Sequence, residues 1–217
     1  MPLQGEVRVV DDVARAFAAL VADLSPRSLA LSGGDTARRC YELLPGVAVD
    51  WSGCTVWFGD ERWVAVDDPD SNEGMAREAF LDRVTTAAVH SMRGTGDSID
   101  VAAASYDALV GAADPIALVH LGLGPDGHTA SLFPGSPALS VRDRLVVPNP
   151  GDAAHPHDRL TFTFPAIARS DVVVFTVDGD DKRDAVARAR DAGDVPAAQV
   201  TAGRVVWLLD HAAAGDQ

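Results

Sequence analysis

The most specific chemistry in the chain lies in one run, Gly122 to Ser131, which reads G-L-G-P-D-G-H-T-A-S. His128 follows a P-D-G turn placed directly behind an apolar stretch, Ile116–Leu121, that reads as a central strand. An imidazole titrates near neutrality, so a histidine held at such a turn is suited to general-base or general-acid work. Asp126, two residues earlier, reads either as turn chemistry alone or as part of the site. Gly122, Gly124 and Gly127 also satisfy G-x-G-x-x-G. Pro134 and Gly135 interrupt the long helix a dinucleotide site needs, and the motif sits mid-chain rather than in a first βαβ unit. No nucleotide cofactor is expected.

Three further segments carry groups for an anionic ligand. Ser32–Thr36 (S-G-G-D-T) lies between a strand, Leu29–Ser32, and a helix, Ala37–Leu44. Its glycine pair, Gly33 and Gly34, lets backbone N–H groups face a ligand, and the helix N-terminus adds partial positive charge. The alternative is a tight turn with Asp35 or Thr36 as helix cap. Gly59–Trp63 (G-D-E-R-W) follows the strand Val56–Phe58 and either turns a carboxylate and a guanidinium into a cleft or forms an exposed ion pair of little value. Asp60 and Arg62 are the groups in question. Arg159 heads L-T-F-T-F, and Lys182, the single lysine beside 17 arginines, follows V-D-G-D-D at the end of the strand Val172–Val177. Arg62, Arg159 and Lys182 are the candidate cationic anchors.

Other chemistries are absent from the pattern. No G-x-S-x-G elbow and no H-E-x-x-H pair exist. Asp68–Gly74 (D-P-D-S-N-E-G) opens like an EF-hand loop, but Glu73 stands where glycine is needed and Ala79 where the bidentate Glu belongs. Ser71 or Asn72 reads instead as a helix cap. His155 and His157 are too close together and too isolated for a metal triad, and His120 lies inside an apolar strand. No metal and no cofactor are expected. Cys40 and Cys54 make no disulfide framework and read as reduced thiols.

These loops need a scaffold that gathers strand ends. Apolar runs at Val7–Val10, Leu160–Phe164 and Val205–Leu209 add to the strands above, and helical spacing marks Val13–Leu24, Gly74–Val84, Val101–Val110 and Lys182–Arg190. Asp11 or Asp12 caps the first helix, and Pro148–Asp158 reads as a long loop. Strands alternating with helices predict an α/β fold, a Rossmann-like, mostly parallel sheet flanked by helices, as one domain over residues 1–217. Ligands bind such sheets at the carboxyl ends of strands.

Composition is that of an ordinary soluble globular protein: 217 residues, 47% hydrophobic and 23% charged. A net charge of −14, from 18 basic and 32 acidic side chains, argues against nucleic acid or an anionic membrane as partner. The start lacks a secretory pattern and no apolar stretch reaches a membrane span, which predicts a soluble, cytoplasmic protein. Oligomeric state has no sequence signal.

Taken in order, L-S-G-G-D-T (31–36), W-F-G-D-E-R (57–62), D-P-D-S-N (68–72), L-G-L-G-P-D-G-H-T-A-S-L-F-P-G-S-P-A-L (121–139), R-L-T-F-T-F-P-A-I (159–167) and G-D-D-K (179–182) resemble the glucosamine-6-phosphate isomerase/6-phosphogluconolactonase family, on its lactonase side. The resemblance implies a sheet shared with glucosamine-6-phosphate deaminase. It implies a phosphate pocket of Ser32, Gly33, Gly34 and Thr36 with Arg159 and Lys182, and a catalytic His128 with Asp60, Arg62 and Asp126 nearby. The substrate it implies is a small sugar-phosphate lactone, 6-phospho-D-glucono-1,5-lactone. Its hydrolysis to 6-phospho-D-gluconate, in the oxidative pentose phosphate pathway, would use a histidine base and no covalent intermediate. The alternatives are a sugar-phosphate isomerase or deaminase and a non-catalytic sugar-phosphate-binding protein. Two departures stand out: Asp35 replaces the serine of S-G-G-S-T-P-K, and Phe133 stands where the deaminase branch has an acidic residue.

Overall fold

The computed structural model describes residues 3–94, 96–191 and 194–215. In chain order the elements are β1 (Glu6–Val9), α1 (Val13–Leu24), β2 (Ser28–Leu31), α2 (Asp35–Leu43), β3 (Thr55–Phe58), β4 (Asp60–Arg62), α3 (Asn72–Ala79), β5 (Ala88–Val89) and α4 (Ile99–Ala112). Then follow β6 (Leu118–Leu121), β7 (Val146–Asn149), β8 (Arg159–Phe162), α5 (Phe164–Ala168), β9 (Val172–Val177), α6 (Arg183–Asp191), β10 (Arg204–Leu209) and α7 (His211–Ala214). No helix among the described residues is long and apolar enough to cross a membrane.

Seven strands pair in the order β1-β10-β9-β6-β2-β3-β5. Every pairing is parallel, as apolar runs without alternation require when helices cover both faces. β6 and β9 are buried at every residue. α1 follows its cap closely: Asp12 accepts the N–H groups of Ala14 and Arg15 at 3.0 Å, and Val13, Phe17, Leu20 and Val21 bury one helical stripe.

The parallel sheet is not the whole fold. β4, β8 and β7 form a separate three-stranded antiparallel sheet. Gly59–Trp63 and Pro148–Asp158, read from sequence as loops, therefore contribute β4 and the end of β7. The Arg159-headed strand pairs outside the main sheet. Strands of three or four residues are too short for a period to show, and apolar content says nothing about the direction of a partner. The helix expected over Gly74–Val84 instead starts at Asn72, capped by Ser71, and gives way after Ala79 to a single 3-10 turn at Leu81–Arg83.

From β2 the strand order runs one way through β3 and β5, and from β6 the other way through β9, β10 and β1. The loops after β2 and β6 thus part at a topological switch point, where open α/β sheets leave a crevice at the strands' carboxyl ends. Beneath this crevice lies a buried polar chain. The Ser32 N–H donates to Tyr41 Oη at 2.7 Å, Tyr41 Oη meets His120 Nδ1 at 2.8 Å, and His120 Nε2 meets Thr176 Oγ1 at 2.8 Å. The chain ties β2, α2, β6 and β9 together, and Phe17 of α1 packs on the His120 ring at 4.2 Å between centroids.

Burial pushes the His120 imidazole down to about 3, whereas an unfolded histidine titrates near about 6.5. Below that value the unfolded chain binds a proton that the native chain refuses, so stability falls as pH drops through the window from about 6.5 toward 3. Each pH unit there costs about 1.4 kcal/mol. His120→Asn is expected to be less stable at pH 7, because it removes the ring contacts to Tyr41 Oη and Thr176 Oγ1. Between pH 6.5 and 5 it should lose about 2 kcal/mol less than the wild type. Urea unfolding at the two pH values reads this difference, and parallel losses would contradict it.

Candidate active site

The switch-point crevice gathers most of the sequence-predicted residues. Ser32, Gly33, Gly34, Asp60, Arg62, His128 and Lys182 line one cavity of about 220 Å³. Thr36 lies in an adjoining hollow of about 570 Å³ that shares Gly33, Gly34 and Lys182 with the first. Asp126 stands behind His128, and Arg159 lines neither space.

The loop after β2 is a backbone feature. Gly34 has φ +95° and no side chain caps α2, so the first-turn N–H groups face the crevice. Gly33 has no room for a side chain, since a Cβ there would meet Asn72 Oδ1 at 1.9 Å. Thr36, expected in the phosphate pocket, donates its Oγ1 to Asp178, which also pairs with Arg39. Asp35 is exposed at the head of α2 and borders the larger hollow, where its charge opposes an anion. Lys182, from the turn after β9, has its Nζ 3.1 Å from Asp181 Oδ2.

The loop after β6 presents His128 by a closed turn. The Gly127 N–H bonds to Gly124 O and the Gly124 N–H to His128 O, both at 2.9 Å, while Thr129 Oγ1 donates to Gly122 O. Asp126 Oδ1 accepts the His128 N–H at 3.0 Å and lies 2.6 Å from His128 Nδ1. Partial burial works to raise the Asp126 carboxyl, but the hydrogen bonds from the His128 ring and N–H and the nearby histidine charges outweigh it. The net effect pulls the carboxyl down to about 2. An ionised carboxylate only accepts, so the proton of neutral His128 sits on Nδ1 and leaves Nε2 with a free lone pair. Asp126 makes both contacts, one with the turn backbone and one with the ring. His155, from the loop after β7, lies across this pair, with its ring 5.3 Å from that of His128 and stacked on Phe133 at 3.8 Å. That corrects the reading of His155 as isolated, which sequence distance alone had suggested.

The short sheet supplies the facing wall. Alternation along β4 turns Asp60 and Arg62 to the cavity and Glu61 away from it. Asp60 Oδ2 accepts from Ser131 Oγ at 2.7 Å, and Asn72 Nδ2 donates to Asp60 O at 2.9 Å. Arg62 is steadied by donating to Asp70 O at 2.7 Å. Glu61 caps α3, accepting the N–H groups of Asn72 and Glu73 at 2.7 Å and the Ser71 hydroxyl at 3.1 Å, while burial raises its pKa. Arg159 sits opposite Arg62 in register, buried, with its guanidinium 5.4 Å above Phe133 and its Nη1 without a hydrogen-bond partner. Burial lowers its pKa against the pull of Asp60. Sequence reasoning saw Asn72 only as a cap and passed over Ser131 and Glu61. Ser131 and Asp60 are 71 residues apart, so no local pattern announces their contact.

A family model described as "Glucosamine-6-phosphate isomerases/6-phosphogluconolactonase" matches residues 6–207. A 6-phosphogluconolactonase from Synechocystis sp. is 40% identical over 208 residues, 89% of this chain and 85% of its own length. One from Mycobacterium tuberculosis is 38% identical over 218 residues, 92% of this chain and 88% of its own. The structure of 6-phosphogluconolactonase from Trypanosoma cruzi superposes with a TM-score of 0.86 at 25% identity, covering 99% of this chain and 97% of that one. A monomeric glucosamine-6-phosphate deaminase shares the fold, with a TM-score of 0.81 at 21% identity over 96% of this chain and 98% of its own.

Gly127 and Gly122 separate the turn's backbone demand from mere loop position. Gly127 has φ +88°, and a Cβ would meet Val195 Cγ1 at 2.4 Å, whereas Gly122 has nothing within 4 Å. Gly127→Ala is expected to cost about 1–3 kcal/mol of stability, and Gly122→Ala less than about 0.5 kcal/mol. Denaturant midpoints of the two variants check this ordering.

Proposed function

The chain belongs to the glucosamine-6-phosphate isomerase/6-phosphogluconolactonase family, and from that premise we propose that it hydrolyses 6-phospho-D-glucono-1,5-lactone to 6-phospho-D-gluconate in the oxidative pentose phosphate pathway. The observation that carries this reading is the Asp126–His128 pair beside a cavity that His128 lines together with Lys182 and Ser32, Gly33 and Gly34. Base and anion site together suit an ester that carries a phosphate.

A δ-lactone is already an activated ester, so water is a sufficient nucleophile. His128 Nε2 takes a proton from the water that attacks C1, and Asp126 stabilises the imidazolium that forms. Arg62 or loop N–H groups receive the charge developing on the carbonyl oxygen. The imidazolium then returns its proton to the departing ring oxygen, with no covalent intermediate. Asp60, held by Ser131 and Asn72, is placed to orient the water or a sugar hydroxyl. Phosphate held by Lys182 and the N–H groups of the glycine loop fixes C1 over the base, which turns binding energy into orientation. Arg159 keeps a place in the proposed site because its buried Nη1 has no partner, and a ligand oxygen would supply one. Phe133, edge-on to His128 at 4.9 Å, is apolar where an isomerase would need a second proton carrier, which supports hydrolysis over ring-opening isomerisation.

His128→Gln is expected to lower kcat by about 10²–10⁴-fold, the usual reach of general-base catalysis, with the thermal transition unchanged. Acid release from the lactone, corrected for spontaneous hydrolysis, measures it, and full activity in the folded variant would overturn the proposal. Lys182→Met should cut kcat/KM for the phosphorylated lactone by about tenfold to a hundredfold, as expected for one charged hydrogen bond. It should change little for plain gluconolactone. Equal losses on the two substrates would remove Lys182 from the phosphate site.

A further inference from the structure

The strand β1 ends the seven-stranded sheet and has a partner, β10, on one side only. Among the described residues nothing pairs with its other side. Val10 donates its N–H to Leu209 O, and alternate residues of a parallel strand bond to the same neighbour. Glu6 and Arg8 therefore turn their backbone groups to β10, while Val7 and Val9 turn theirs to the open side. The edge is bare: Glu6, Val7 and Val9 are exposed and Arg8 is half-buried. Side chains alternate too. Val7 and Val9 continue the apolar row of Trp207 and Leu209, and Glu6 and Arg8 share the other face. Val7 and Val9 are two of the five large apolar side chains exposed among the described residues.

Charge commonly blunts the edge of a sheet. On β1 the two charges have opposite sign and stand two residues apart, so the strand is complementary to itself in one register. We propose that β1 docks a second copy of this chain, antiparallel, about a twofold axis through Val7. Val7 then exchanges both N–H···O bonds with Val7 of the second copy. Glu6 falls opposite Arg8 of the other copy, twice, at the positions where strands bring Cα atoms to about 4.5 Å. Val9 falls opposite Gly5, which has no side chain to obstruct it.

Other registers fail. An axis through Arg8 sets Arg8 on Arg8 and aims backbone groups already bonded to β10. An axis through Val9 sets Glu6 on Asp12, which caps α1. Like charges directly opposite are destabilising. Within one copy Glu6 takes Arg8 Nε at 2.7 Å and Arg204 at 2.6 Å. Guanidiniums thus outnumber carboxylates at this edge, which weakens the repulsion between two chains of net charge −14. The pairing joins two seven-stranded sheets into one, with the β6–β2 crevice of each copy well inside its own half. A single short strand buries less than the roughly 1,200 Å² of a stable interface, so the dimer is weak and concentration-dependent.

Sedimentation of the whole chain from low micromolar to about 1 mM measures this association, whatever the chain's activity. The wild type should pass from monomer to dimer over that range. Arg8→Glu and Glu6→Arg set like charges opposite each other, and each should weaken the dimer about tenfold or more. An equimolar mixture of the two should associate again, because an all-acidic edge then meets an all-basic one. That rescue also shows that both variants are folded. Val7→Cys reads the register, since the two thiols meet across the axis at about 5.5 Å between Cα atoms, a spacing that a disulfide spans. Oxidised glutathione should link Val7→Cys copies and leave Val9→Cys copies separate; the native Cys40 and Cys54 are buried. A wild type that stays monomeric, a dimer indifferent to both charge changes, or a mixture that does not reassociate would overturn the proposal. Linking of Val9→Cys as readily as Val7→Cys would overturn it too.

Discussion

The contact between His128 Nδ1 and Asp126, 2.6 Å long, decides which nitrogen of the neutral ring keeps its lone pair. It works only while the carboxylate stays ionised and the turn stays closed. Hydrogen bonds from His128 itself keep the carboxyl near 2, and Gly127 permits the turn by adopting a backbone angle that other residues resist. The pair also needs a fixed floor, which β6 supplies by being buried along its whole length. Beneath it, His120, Tyr41 and Thr176 satisfy one another without any charge, so the polar chain that joins β2, β6 and β9 carries no ion into the core.

The proposed function asks a chain with net charge −14 to welcome an anion at this edge. Apart from the exposed Asp35, the neighbouring carboxylates have partners. Asp178 takes Thr36 and Arg39, Asp60 takes Ser131, Asp126 takes His128, and Glu61 faces away to cap α3. The positive groups directed at the crevice are Arg62, Lys182 and the N–H groups at the start of α2. Local pairing, rather than overall charge, sets the field a ligand meets.

The sequence was most readable where a property repeats over many residues. α1 occupies the expected Val13–Leu24, because a twelve-residue amphipathic stripe with an aspartate ahead of it has few other readings. β9 likewise occupies Val172–Val177. The second sheet was not readable, since β4 has three residues and its partners lie about a hundred positions away in the chain. Among site residues, His128, Asp60, Arg62 and Lys182 could be found because each follows a strand end. Asn72, Ser131 and His155 could not, because their roles exist only once β4, the β6 loop and the β7–β8 loop are brought together.

All of this depends on Asp126 holding neutral His128 with its proton on Nδ1 and its lone pair on Nε2. Nitrogen-15 NMR of the histidine rings at neutral pH, with His128 assigned by comparison with the His128→Gln protein, reads the tautomer directly. A protonated Nδ1 and an unprotonated Nε2 are expected for this ring, with loss of that preference in Asp126→Ala. A His128 ring found mainly as the Nε2–H tautomer in the wild type would contradict it.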